Sequence, residues 1–339
     1  MHRRKIECFG TKLSGRDLIE SDSRDEACRD VWEAIAMERA ELRNKLSVSV
    51  PSVRERVTEE EHVMRGTSRV SSGVEAPAAP PDGKNTTTRP RDMTQPRIPE
   101  VSDFPGDLVV SIIPPQDEKK PVSNILLLLH GLGDTNAPFT NLAKNFNFPE
   151  TACLAIRGPS RLPFDENGFH WGDDLIFDTS QGGLDMEAQF TQTHELLEKI
   201  LDILVGKCAW KRRAIFFFGL GQGGMVALDI ASRLPAGGPD GEYGGVVSLG
   251  GPLPHDAPSP GRKAKTPVML MGAERVSAIT EDVEARVKNV FEFAEIVRWS
   301  GRKEDGMMRN QEEAMPMMKF YARRLRSRAG IPDGAVELS

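Results

Sequence analysis

A doubly wound α/β domain with a mostly parallel sheet is the fold class predicted for residues 97–327, and three observations carry it. Asn124-Ile-Leu-Leu-Leu-Leu129 is a continuous apolar run bounded by turn residues, the pattern of a strand buried on both faces of a parallel sheet. Short apolar runs of this kind recur from residue 108 onward, with helical patterns between them. Two of the runs lead directly into glycine turns, at His130-Gly131-Leu132-Gly133 and at Gly219-Leu220-Gly221-Gln222-Gly223-Gly224.

Residues 1–96 have a different texture. Charged residues dominate from Arg16 to Arg56, and a short apolar periodicity at Cys28, Val31, Ile35 and Leu42 predicts one marginal helix over 24–46. From Ser68 to Gln95 the composition turns to Ser, Thr, Pro, Ala and Gly, which cannot bury enough apolar area to fold. This segment is expected to be a mostly disordered extension.

The domain elements then follow in order. Leu108–Ile113 and Asn124–Leu129 read as strands, Phe139–Phe146 as a short helix and Ala152–Ile156 as another strand. Gly183 to Val205 reads as a long amphipathic helix with Phe190, Leu197, Ile200, Leu201 and Leu204 on its apolar stripe. Ala214–Phe218 is a strand that runs into glycines and a helix over Met225–Leu234. Gly245–Leu249, Pro267–Met271 and Phe293–Trp299 complete the strands, with helices over 280–291 and 311–327 and a tail over 328–339. In sheets of this class ligands bind beyond the carboxyl ends of the strands, so function is expected just after each apolar run.

Composition narrows the function classes. The 339 residues carry a formal net charge of -6, which exerts no pull toward nucleic acid or an anionic membrane. No apolar run approaches the roughly 20 residues that span a bilayer. The opening MHRRKIECFG has early positive charge but no apolar stretch behind it, so it does not read as a secretory signal. Four cysteines without a C-x-x-C pairing fit reduced thiols in a cytoplasmic protein, and neither a metal nor a cofactor is expected.

The chemistry-bearing motifs stand at the two glycine turns. A strand, a sharp glycine turn and a helix form the frame of the G-x-S-x-G nucleophile elbow, in which small residues allow the bend that exposes the central side chain. Together with the intact His130-Gly-Leu-Gly-Asp-Thr135 run, residues 219–224 closely resemble the phospholipase/carboxylesterase family of α/β hydrolases, which includes the acyl-protein thioesterases. That family's elbow reads G-F-S-Q-G-G; here Gly219, Gln222, Gly223 and Gly224 match, and Gly221 stands in the serine's place. The likeness extends through Trp171 in G-F-H-W-G-D and through Gly250-Gly-Pro-Leu-Pro254. It implies an oxyanion hole from the N–H groups of Leu132 and Gln222, and a pocket about His130, Gly131, Asp134, Trp171 and Gly223. The family's role for His130 is structural, Asp134 is expected to cap or order its loop, and Trp171 to be a pocket wall or a core-packing residue.

The triad itself departs from the family. Gly221 has no side chain to attack with. Where the family has G-D-x-D for its acid, this chain has Gly272-Ala273-Glu274-Arg275, with Arg275 near the acid position and Glu274 out of register. Met307 or a neighbour stands where the base is due. The six histidines are His2, His62, His130, His170, His194 and His255, so no imidazole follows residue 255. A triad acts as a unit, and three vacancies argue against partial rescue. Among substitutes, Ser248 reads as a locally bonded strand residue and Cys208 as an inert or surface thiol. Met307, Met308, Met315, Met317 and Met318 read as helix packing, part of which could line an apolar groove.

Three function classes follow. The first is a non-catalytic hydrolase-fold protein that binds an acyl or other apolar ligand, or a lipidated or other protein partner. The second is a carboxylesterase or acyl-protein thioesterase with an atypical nucleophile. The third is an NAD(P)-binding oxidoreductase, because Gly219-x-Gly221-x-x-Gly224 also satisfies G-x-G-x-x-G. Against it, the next strand ends in Gly250-Gly251 where an acidic ribose ligand is required.

Overall fold

The computed structural model describes residues 96–327 apart from short breaks at 118–119, 164–166, 176, 179–182, 185–188, 235–239 and 259–260. The expected extension over 1–95, its helix over 24–46 and the tail over 328–339 lie outside the described residues.

Seven strands form one sheet: β1 (Val110–Ile113), β2 (Asn124–Leu129), β3 (Thr151–Ile156), β8 (Ile215–Leu220), β9 (Gly245–Leu249), β10 (Val268–Ala273) and β11 (Ala294–Trp299). Their order is β1-β3-β2-β8-β9-β10-β11, with β1 antiparallel to β3 and every other pair parallel. Two-residue ribbons pair β4 (Ser160–Arg161) with β5 (Phe169–His170) and β6 (Phe177–Asp178) with β7 (Gly183–Leu184). The helices are α1 (Asn136–Phe146), α2 (Thr191–Asp202), α3 (Gln222–Arg233), α4 (Glu281–Val290) and α5 (Gln311–Arg324).

Strand periodicity sorts the core into two faces. Ile125, Leu127, Leu129, Ile215 and Phe217 join one buried cluster with α2, α3 and α4, through Leu197, Ile200, Met225, Val226 and Val287. The alternate residues point the other way. Phe218 meets Phe139 and Phe146 of α1, and Phe216 meets Tyr321 of α5. The central strands are therefore apolar on both faces, which is why they read as unbroken runs.

Most expected elements stand within one or two residues of their places. β8 and β10 each run two residues beyond the sequence expectation, because Gly219-Leu220 and Gly272-Ala273 keep their sheet partners. One expectation is corrected. The helix expected from Gly183 starts at Thr191, because the Asp173 carboxylate accepts the N–H groups of Thr191 and Gln192 at 2.8 and 2.9 Å and so caps it there. Gly183 pairs instead with Asp178 in a ribbon. The apolar stripe was legible all the same: Phe190, Leu197, Ile200, Leu201 and Leu204 are all buried.

Candidate functional site

The carboxyl ends of the strands align, Leu129 beside Gly219, Leu220 beside Leu249, and Ala273 beside Trp299. The loops that leave them therefore meet along one edge of the sheet.

At its centre the elbow is fully formed. Gly221 caps α3 with φ 50° and ψ -119°. Its N–H donates to Leu249 C=O at 2.8 Å, and its own C=O accepts the N–H groups of Gly224 and Met225 at 2.9 and 3.0 Å. The flanking glycines are steric necessities. A Cβ at Gly219 would come within 2.4 Å of the Gly223 backbone, and one at Gly223 within 2.4 Å of Leu129 C=O. The glycine turn is thus packed tightly against its own chain. Ser248 is wholly buried behind the turn, its hydroxyl donating to Gly251 C=O at 2.7 Å.

The loop after β2 is held from within. His130 Nδ1–H donates to Gly131 C=O at 2.8 Å, while Nε2 accepts the Gly158 N–H at 2.8 Å. Both bonds need the neutral ring, and burial pulls its pKa down from 6.5 to about 4. Trp171 is fully buried: its Nε1–H donates to His130 C=O, and its backbone N–H to Gln222 Oε1, both at 2.8 Å. Trp171 therefore ties the His130 loop to the elbow, and the Gln222 side chain is the elbow's half of that tie. Asp134 orders the loop, its carboxylate accepting the Thr135 N–H at 2.8 Å, and burial raises its pKa. The N–H groups of Gly133 and Asp134 go to the C=O groups of Phe169 and Gly131, while that of Leu132, just before them, has no acceptor among the described residues.

The two loops expected to hold acid and base are sewn to each other. Arg275 is exposed, and so is Glu274, whose carboxylate accepts the Gly301 N–H at 3.0 Å. Met307 is half-buried and presents only its C=O to the Arg302 guanidinium, at 2.8 Å. Arg302 is buried, ion-paired with Glu313 at 2.9 Å and stacked on Trp299. The carboxylate of Asp305 accepts the N–H groups of Ala273 and Ala278 at 2.7 and 2.8 Å and the Ser277 hydroxyl at 3.0 Å. A Cβ on Gly250 would come within 2.6 Å of Asp305 Cβ, and one on Gly251 within 2.3 Å of Gly221 C=O. Asp305, which sequence reasoning missed, is thus a carboxylate close to the elbow; its only sequence signal was the Glu304-Asp305-Gly306 turn after the last strand.

The other titratable candidates are engaged or buried. His194 pairs with Asp229, two turns down α3, which also holds Arg233 at 3.0 Å. His255 sits on an exposed loop against Arg286 at 3.0 Å. Cys153 and Cys208 are buried, and burial pushes both thiols up, that of Cys153 to about 12. Cys208 is thus not a surface thiol. Met317 and Met318 are buried in helix packing, and Met308 and Met315 are half-buried. Among the described residues no three His, Cys, Asp or Glu side chains gather as metal ligands, and no helix is long and apolar enough to cross a membrane.

Comparison with known proteins places this geometry. A family model described as phospholipase/carboxylesterase matches residues 111–289. An uncharacterized hydrolase of Schizosaccharomyces pombe (strain 972 / ATCC 24843) is 31% identical over 240 residues, covering 70% of this chain and 96% of that protein. An uncharacterized hydrolase of Mycosarcoma maydis is 32% identical over 211 residues, 61% of this chain and 78% of that protein. The crystal structure of esterase PE8 superposes with a TM-score of 0.53 at 20% identity, covering 64% of this chain and 99% of that one, a likeness of fold.

Proposed function

Because the chain belongs to the phospholipase/carboxylesterase family of α/β hydrolases, we propose that it is a non-catalytic member, which keeps the elbow and the oxyanion-type loop as a binding site for an acyl or other apolar ligand, or for a protein partner carrying one. The observation that carries this reading is Gly221, with no side chain at the apex of an elbow whose other contacts are all in place. Acyl transfer needs an attacking atom and a base to take its proton. The chain has no histidine after His255, and Ser248, Cys153 and Cys208 are buried away from solvent. Backbone donors at Leu132 and Gln222 would still polarise a ligand's oxygen, but donors alone accelerate nothing that is not attacked. The same family membership makes the test direct. Purified protein is expected to leave p-nitrophenyl and thioester acyl substrates unhydrolysed and to remain unlabelled by a fluorophosphonate probe. Stoichiometric labelling would instead establish an active esterase or thioesterase with an atypical nucleophile.

A further inference from the structure

Two guanidinium groups stand at the site's edge, with no acid between them among the described residues. Arg157 directly follows β3, and Arg161 lies opposite Phe169 in the β4–β5 ribbon. Their guanidinium carbons lie 4.2 and 5.5 Å from the centroid of the Phe169 ring, which is itself buried. Arg157 is half-buried and Arg161 exposed, and among the described residues neither has a carboxylate partner.

Phe169 is part of the oxyanion-type loop's own support. Its C=O accepts the Gly133 N–H at 2.8 Å and its N–H donates to Asp134 C=O at 3.1 Å. Gly158, next to Arg157, donates to His130. Stacking on a ring occupies the face of a guanidinium and leaves its N–H edge open, the fork that matches the paired oxygens of a carboxylate or phosphate. It also fixes the rotamer before a ligand arrives, so less entropy is lost on binding. Two like charges held on one buried ring beside a ligand-binding edge gain most from an anion that meets both.

We propose that Arg157 and Arg161 recognise the anionic head group, phosphate or carboxylate, of an amphiphilic ligand whose apolar part enters the site above the elbow. This rests on the acyl-binding reading, and the experiment separates the two. The full chain is titrated calorimetrically at low ionic strength with octyl phosphate, the neutral monooctanoyl glycerol and inorganic phosphate. Octyl phosphate is expected to bind about tenfold more tightly than monooctanoyl glycerol, and Arg157→Gln or Arg161→Gln to weaken octyl phosphate about five- to tenfold while leaving the neutral ligand unchanged. Arg157→Lys keeps the charge without the fork and recovers part of the loss, and each variant's melting temperature certifies its fold. Equal affinity for charged and neutral amphiphiles overturns the anion site while the acyl reading stands. Arginine-dependent binding of inorganic phosphate as tight as that of octyl phosphate keeps the anion site and overturns the acyl reading. Loss of both octyl ligands alike in the Gln variants overturns the proposal.

Discussion

At residue 221 a φ of 50° with ψ -119° lies where side chains are disfavoured, so a serine hydrolase accepts strain at this position to expose its nucleophile. Glycine removes both the nucleophile and the strain. Gly221→Ser is therefore expected to lower stability by about 1–3 kcal/mol and, on the non-catalytic reading proposed above, to produce no turnover of p-nitrophenyl esters, because no histidine follows His255 to take the serine's proton. A melting curve and an initial-rate assay on the same preparation check both halves. Burst release of nitrophenol by the variant would show that another group can take the serine's proton.

Among the elements, the loops after β10 and β11 are fastened to each other. Asp305 binds the backbone of one loop to the other, and the Arg302–Glu313 pair anchors the second loop to α5. Removing the Asp305 carboxylate leaves two backbone donors in a half-buried place, each costing on the order of 1 kcal/mol or more. Asp305→Ala is expected to lose about 2–3 kcal/mol in urea denaturation, with Asp305→Asn losing less because one oxygen still accepts. An unchanged urea midpoint for the alanine variant would show that these contacts carry no stability. Strand and helix identities were legible from the apolar runs, since burial on both faces leaves a signature in the order of residues. The start of α2 was not, because the carboxylate that caps it comes from Asp173, eighteen residues earlier.

For the molecule as a whole, the neutral His130 couples the site to global stability. Its pKa is lowered in the fold, so the stability it contributes is complete above about pH 6.5 and is lost as pH falls through about 4, up to about 3 kcal/mol. Burial lowers His170 in the same direction. Asp103, held to about 2 mainly by its bond to Arg97, adds a loss only at stronger acidity. Asp134 works the other way, since its raised pKa means that acid relieves a buried charge. Urea midpoints measured from pH 8 to pH 4 should hold steady and then fall below about pH 6.5, before most carboxylates titrate. A midpoint constant down to pH 4.5 would show that the His130 loop opens without cost to the fold.

The order of residues alone determined the fold class, the family, the glycine at the elbow's apex and the lack of a late histidine, because runs, motifs and missing residue types are properties of the chain. Gly221 was visible as a substitution without any coordinates. What only the tertiary structure decided is which distant groups meet. It brought Trp171 onto His130 and Gln222, set Asp305 between two loop ends, and placed Arg157 and Arg161 on one phenylalanine. Apart from Arg161 and Phe169, which share a ribbon, those contacts join residues on different loops, and no local pattern encodes a partner that arrives only when the sheet has closed.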